Sequence, residues 1–397
     1  MNHTAMAERA TLGALLLGPG HQNQTGPTGP QTNAGIVGIL RWLRPEDFAD
    51  PWHAEVYRTI RALGAAGEAC DAEATGHDLI RRLGHTRADV GRLAGLLRDL
   101  PVRPQLDVYA AMVLEAALRR ETITHGLLLR AGALQSVLDS SPRPMAAVTV
   151  TVDAALVDAG YRWAIATGRL RPTRAGPTRS GHARSDGPRP AMPIGLRSAA
   201  GRVHAALGAD RFLAAHPLPT ARQVADREAA LIVTLIAHPR HLDATAAWLR
   251  PAAISNRTWR PVYEALLGLR AGGQPIDAVT VFWETRRASR VAGPGPDPRP
   301  GIAAVERAAA VDPGYAAARV AGDHLRLAAE AAANSLRTAA SNPGLDLGQV
   351  LETGHVLTAA LRTGAVPLSA PGRDGRHLAA VRALPAPHAH RERPVAG

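Results

Sequence analysis

The chain has 397 residues, of which 46% are hydrophobic and 4% aromatic, and its formal charge is +12. Such a length predicts two or three domains, with cores built from Ala, Leu and Val rather than from aromatic rings. All basic side chains are arginine, which excludes a Schiff-base lysine and a lysine-type phosphate loop, and the one cysteine, Cys70, excludes an internal disulfide and a thiol metal site.

Residues 7–17 read as a first helix, with Leu12, Leu15 and Leu16 on one face. The start is no signal peptide by this reading, because a basic leading region is missing and the apolar run is short. No run reaches the roughly 18 apolar residues of a membrane span. A Gly/Pro/Gln/Asn/Thr segment, 18–34, predicts a mobile loop. Ile36 to Leu43 predicts a second short helix that Arg44-Pro45 ends, since the residue before proline is pushed out of the α region.

A third helix is expected from about Trp52 to Gly64, its Val56, Ile60 and Leu63 stacked at helical spacing beside Tyr57. Gly67 is a helix-ending position that tolerates positive φ, and Asp71 is a candidate N-cap for a fourth helix. Cys70 beside it reads as a small buried apolar residue. Val90 to Leu100 gives a fifth helix, and Tyr109 opens a long one to about Gln135. Ser141-Pro142 breaks it, and one more helix is expected over about 145–167. That stretch contains Val-Thr-Val-Thr-Val, strand-like by propensity, yet its continuation from Asp153 to Trp163 keeps helical spacing.

The pattern then starts again. Trp42-Leu43-Arg44-Pro45, Val56-Tyr57, Gly67 and Asp71 recur 206 positions later as Trp248-Leu249-Arg250-Pro251, Val262-Tyr263, Gly273 and Asp277. Matched Trp, Tyr, Pro, Gly and Asp in one register mark a duplication. The first helix recurs at 225–237, where Glu228 matches Glu8 at a larger offset, so copy one carries an insertion of 14 residues in its mobile loop. Copy two continues with a Pro/Gly-rich loop at 293–301, a helix at 302–311, a long helix from Tyr315, a break at Asn342-Pro343 and a last helix over 346–363. Residues 203–214 predict a further short helix. The expected organisation is therefore a first helical domain over 1–167, a disordered Arg/Pro/Gly-rich linker over 168–202, a second domain over 203–364 and a disordered tail over 365–397.

Candidate chemistry is sparse. His53 near Asp50 or Asp47 invites an acid–base reading, but copy two has Trp259 at that position, which favours packing or capping. His238 and His241 sit in an expected loop and lack the carboxylate or thiol a metal site needs; His388 and His390 fall in the tail. Glu46-Asp47 reads as the start of a turn at a helix entry, where negative charge is favourable. Tyr57 and Tyr263 read as packing residues of an apolar stripe. Arg169, Arg171, Arg174, Arg179, Arg184 and Arg189 are accompanied only by Asp186; they are candidate, nonspecific and salt-dependent nucleic-acid contacts, without the interleaved aromatics of a stacking site. No catalytic, cofactor or metal residue is assigned.

Copy one reads Ala7-Glu8-Arg9-Ala10-Thr11-Leu12-Gly13-Ala14-Leu15-Leu16, then Leu43-Arg44-Pro45-Glu46-Asp47-Phe48, then Asp50-Pro51-Trp52-His53, then Val56-Tyr57, Ile60 and Tyr109-Ala110. This resembles the N-terminal domain of DnaB-type replicative DNA helicases, with its Glu-led helix, its Leu-Arg-Pro-Glu-Asp-Phe turn and its Tyr-Ala before a long helix. Ala49 stands where that family usually has Tyr. Copy two, with Trp248, Pro251 and Tyr263, departs further: Ile254 replaces Phe48, and Ala252-Ala253 replace Glu46-Asp47.

The resemblance implies an all-α protein of two tandem helical-bundle domains. In the family the domain forms the collar of a hexameric ring, pairs into dimers and docks primase or loader partners, without a catalytic residue of its own. The chain is therefore expected to be a non-catalytic, cytoplasmic and bacterial replication protein that binds a helicase, a primase-like protein or itself. About 35 linker residues would reach roughly 30–35 Å, enough for the two copies to pair at about millimolar effective concentration. The alternatives are a nucleic-acid-binding protein using the arginine-rich linker, possible near the nucleoid, and an accessory subunit contributing to helicase activity in trans.

Overall fold

The computed structural model describes residues 3–17, 38–170, 199–292 and 312–364, with side chains from 206, not 199, in the second half and not beyond 288 in the third helix of copy two. The mobile loop expected at 18–34, the helix at 302–311, the tail and nearly all of the linker lie outside these residues. Among the described residues there is no strand.

Copy one begins with α1 (His3–Leu16) and a short helical stretch, α2 (residues 38–42). A 3-10 turn, Pro45–Asp47, leads to α3 (Pro51–Ala66). Asp50 caps α3 by accepting the amides of Trp52 and His53, Pro51 fits the first turn, and Gly67 ends the helix at φ 74°. Asp71 caps α4 (Ala72–Leu83) through the amide of Ala74. An unexpected four-residue helix, α5 (His85–Ala88), follows, because Gly84 at φ 79° and Asp89 at φ 46° each turn the chain sharply. Asp89 then caps α6 (Val90–Arg98). Helices α1, α3 and α6 pack on one another around Leu12, Leu15, Val56, Ile60 and Leu93, all buried.

Two long helices complete copy one, α7 (Leu106–Leu138) and α8 (Arg143–Ala166). The Val-Thr-Val-Thr-Val run lies inside α8. Its threonines are accommodated by bonding back to their own helix, Thr149 to the carbonyl of Ala146 and Thr151 to that of Ala147, each at 2.9 Å.

Copy two is built on the same plan. After α9 (Ala199–Ala215), which starts inside the stretch expected to be linker, comes α10 (Ala221–Ala237), capped by a reciprocal Thr220–Gln223 pair. The expected loop around His238 and His241 is instead a 3-10 turn, Pro239–His241, because Pro239 fixes the first dihedral, and it runs into α11 (Leu242–Ala246). Next are α12 (Trp259–Ala271) and α13 (Ala278–Ala292). Gly273 turns at φ 62°, and Asp277 caps α13 by accepting the amides of Val279 and Thr280 at 2.8 and 2.9 Å. The long helices are α14 (Pro313–Ser341) and α15 (Leu347–Gly364).

The described residues divide into two compact units. One holds those within Met1–Gln135, Arg143–Leu218 and Leu325–Ala365; the other holds those within Ser136–Pro142 and Pro219–His324. The first unit thus contains most of the α7–α8 hairpin of copy one together with the α14–α15 hairpin of copy two from Leu325 onward. Helix α8 lies along α15. Asp153 accepts from the His355 ring at 2.9 Å and pairs with Arg362 at 3.4 Å. Arg130 pairs with Glu330 at 2.5 Å. Arg119 covers the end of α14, donating to the carbonyls of Ala340, Asn342 and Leu345 at 3.2, 3.0 and 2.6 Å. The Ala340 carbonyl lies in the last turn of α14, where carbonyls lack a partner within the helix, so a cation there opposes the helix dipole.

Gly126 of α7 marks a close approach of the two hairpins, there against the backbone of α14. A Cβ built on it would lie 3.2 Å from both the Cα and the Cβ of Ala333. Gly126→Leu is expected to push the hairpins apart and destabilise the chain by about 1–3 kcal/mol, read as a lowered urea midpoint. Gly95→Leu, where a Cβ meets nothing within 4 Å, serves as the comparison and should shift the midpoint far less.

Candidate interaction site

The motif residues are brought together by one buried carboxylate in each copy. Glu8 of α1 is 1% exposed. Its Oε1 accepts the amide of Ala49 at 2.5 Å, and its Oε2 accepts the amide of Asp50 at 3.4 Å and faces Nδ1 of His53 at 2.7 Å. The carboxylate therefore holds the chain where it enters α3. Copy two repeats this with different neighbours. Glu228 of α10, equally buried, accepts the amide and hydroxyl of Ser255, both at 2.7 Å, and the amide of Asn256 at 2.9 Å. Asn256 replaces Asp50 as the local cap, accepting the amide of Thr258 at 2.8 Å. Trp259 replaces His53 and is buried.

A second link joins the same two elements. The Tyr57 hydroxyl donates to the carbonyl of Leu43 at 3.2 Å, and the Tyr263 hydroxyl to that of Leu249 at 3.0 Å. Burial pushes both phenols well above the usual tyrosine range, so both act as neutral donors. Phe48 packs on Tyr57 with ring centroids 4.9 Å apart. Leu12, Leu43, Pro45 and Phe48 are buried, as is Trp248; Glu46 and Pro251 are half-buried, and Pro51 is exposed at the start of α3.

Asp47 is fully buried. It accepts the amide of Arg44 at 2.6 Å and pairs with Arg162 of α8, whose Nε also donates to the carbonyl of Trp42 at 2.9 Å. Burial pushes the Asp47 carboxyl up, and Arg162 opposes that shift. Arg120 of α7 donates to the Asp47 carbonyl at 2.6 Å. Arg44 itself reaches Asp158 of α8 at 3.0 Å. The Arg-Pro-Glu-Asp turn is therefore fastened to both helices of the copy-one hairpin. Arg120 and Arg162 escape a sequence reading, because their partners lie 73 and 115 positions away and no local motif marks them.

This arrangement is a set of buried fasteners. The Glu8–His53 pair, at 1% and 3% exposure, is closed to solvent. Cys70 is half-buried rather than fully buried, since it sits in the loop before α4; burial and neighbouring Asp71 push its thiol up. Among the described residues no group of three His, Cys, Asp or Glu could hold a metal ion, and no helix is long and apolar enough to cross a membrane. Of the candidate nucleic-acid contacts, Arg169 is exposed at the end of copy one; Arg171, Arg174, Arg179, Arg184 and Arg189 lie outside the described residues. No solved structure matches the chain. Residues 30–115 and 220–296 each match the DnaB-like helicase N-terminal domain family. The two matches are consistent with two tandem copies of that domain. The matched stretches contain both Trp-Leu-Arg-Pro turns and both tyrosine links, so the shared architecture and the family match rest on the same residues. The domain supports a role in interaction and oligomerisation related to replicative helicases.

Replacing Glu8 by Gln removes an acceptor facing the Ala49 and Asp50 amides. It is expected to cost about 1–3 kcal/mol, and Glu228→Gln a similar amount, each read from urea unfolding. A pH effect is expected from copy two. Burial holds the His324 imidazole below the usual histidine range, with Glu228 opposing and Arg260 reinforcing the shift. The unfolded chain takes up that proton near pH 6.5 and the folded unit only at lower pH. The unit therefore loses stability as pH falls below about 6.5, until the folded group is protonated too. His324→Gln should shrink the drop in melting temperature between pH 7 and pH 5.

Proposed function

We propose that this chain is a non-catalytic interaction and oligomerisation protein of the replication machinery, in which two collar-type domains are paired within one polypeptide and present their surfaces to a replicative helicase or a primase-like protein. The observation that carries this reading is the packing of the α7–α8 and α14–α15 hairpins in one compact unit. Together with Arg119, Gly126 and Asp153, it uses faces of both copies that a lone copy leaves open. Joining the copies replaces a second-order encounter by an intramolecular one, which raises the effective concentration of the partner hairpin to the millimolar range, about 1 mM for a short flexible tether.

The buried state of Glu8, His53 and Asp47 supports a scaffold rather than a reacting centre. The chain is placed in the bacterial cytoplasm by this reading. A second, weaker role rests on the excess of arginine over acid between the copies: Arg169 to Arg189 would give a salt-dependent hold on nucleic acid near the helicase.

A protease site placed in the linker, within 171–198, tests the pairing. After cleavage of the full chain the two halves are expected to co-elute from a sizing column at micromolar concentration, and Arg119→Ala combined with Gly126→Leu should separate them. Halves that part without those substitutions would refute the pairing. For the partner, an immobilised full-length chain is expected to retain purified replicative helicase or primase from the same host, and retention of neither would remove the replication reading.

A further inference from the structure

Helix α13 of copy two has an outward face unlike its counterpart in copy one. Val279 is 76% exposed and Trp283 68% exposed, one turn apart. Arg286 and Arg287 continue the stripe and are also exposed. A groove of about 510 Å³ opens beside them, lined by Leu269 of α12, Val279 and Trp283 together with Gln274, Thr280, Glu284 and Arg287. All of these residues belong to the second unit.

Exposed tryptophan carries a large apolar surface that water solvates poorly, and Trp and Arg are both enriched among the residues that dominate binding energy at protein interfaces. Copy one holds different residues on this face. At the matching places, 206 positions earlier, stand Glu73, His77, Ile80 and Arg81. The two copies thus differ at three of these four places, Val279 for Glu73, Trp283 for His77 and Arg286 for Ile80, while Arg287 matches Arg81 and the Asp cap is kept.

We infer that this face of α13 is a docking groove for an acidic, amphipathic helical segment of a protein partner. The charge of the face selects the partner: Arg286 and Arg287 are both exposed, and Glu284, the carboxylate beside them, is engaged by Arg287 at 3.0 Å, which leaves the face with a net positive charge. The shape selects the mode. A groove with two aliphatic walls and one indole wall takes an apolar anchor side chain, with neighbouring anchors of a helix at i+4 and i+7 running along the stripe. A single strand of nucleic acid fits less well, because it is held by successive aromatic platforms, and here one ring stands beside aliphatic walls and a carboxylate on the rim. The inference rests on the interaction role proposed above and names a partner chemistry and a place for it.

The probe is a fluorescein-labelled synthetic helical peptide of about 15 residues with Leu and Phe anchors at i, i+4 and i+7 and Asp and Glu elsewhere. A version with Lys for every acid, and a thymidine oligonucleotide, are its comparisons. Polarisation titrations use the full chain. The acidic peptide is expected to bind, less tightly as salt rises, and Trp283→Ala or the charge reversal R286E/R287E should each weaken it about tenfold or more. His77→Ala in copy one should leave it within about twofold. Trp283 is exposed, so circular dichroism should show each variant folded. Absence of binding, equal binding of the lysine peptide, or insensitivity to Trp283→Ala overturns the inference, as does an oligonucleotide that displaces the peptide in a Trp283-dependent way. Retention of helicase or primase by the same variants separates the two readings. If the wild-type chain retains neither, the replication role fails; if it retains one and Trp283→Ala retains it equally, only the docking groove fails.

Discussion

Each copy depends on a carboxylate placed where water cannot reach it. Glu8 and Glu228 project from the first helix of their copies into the turn that opens the third, and take up amides that would otherwise be buried without partners. A buried carboxylate is costly alone, so it persists only where donors converge on it. That condition locks the two elements together: the helix cannot shift along its axis without exposing the charge to an apolar wall, and the turn cannot unwind without orphaning its amides. The tyrosine link to the Trp-Leu-Arg-Pro turn works toward the same end one turn further along that helix. The core of Leu and Val then fills the space these polar links define.

The second copy shows which parts of this device are separable. The glutamate, the tyrosine and the turn are kept, while His53 gives way to Trp259, Asp50 to Asn256, and Asp47 to Ala253. Each substitution is locally consistent. Asn256 caps as Asp50 does. Ser255 adds a hydroxyl to the carboxylate that no longer has an imidazole at the old position. Loss of the Asp47 carboxylate removes the need for a buried arginine such as Arg162. A charged pair of that kind is costly to desolvate and expensive to break, but its complete removal together with the partner is tolerable, so the second copy could lose it without losing the fold.

Much of the fold was legible because its punctuation is chemical. Asp71 and Asp277 cap helices, Gly67 and Gly273 end them with positive φ, and Pro142 and Pro343 follow the breaks of the long helices. The repeat itself could be read because Trp, Tyr, Pro and Gly are rare enough to mark a register in an alanine-rich chain. What could not be read is non-local. Nothing in the neighbourhood of Arg119 says that it will cover the end of a helix more than 220 positions away, and nothing near Arg162 points to Asp47. Short helices such as His85–Ala88 escape for a different reason: four residues carry no hydrophobic period, and their existence follows from the two sharp turns that flank them.

The hairpins explain why duplication suits this domain. An apolar face that pairs with a second copy leaves a lone domain with an exposed stripe, and an exposed stripe has to find a partner by diffusion. Tethering supplies the partner at fixed stoichiometry, after which the two copies no longer need to be identical. The outer face of one is free to change while the inner face is held by Gly126 against Ala333 and by Asp153 against His355 and Arg362. Hydrogen bonds from His355 and Arg362 hold the Asp153 carboxyl below its usual range despite partial burial, so the share of stability that this carboxylate contributes is lost only as pH falls through the depressed value. A chain of this design combines a fixed inner contact with outer faces that can diverge, and Trp283 in copy two against His77 in copy one is a divergence the two surfaces display.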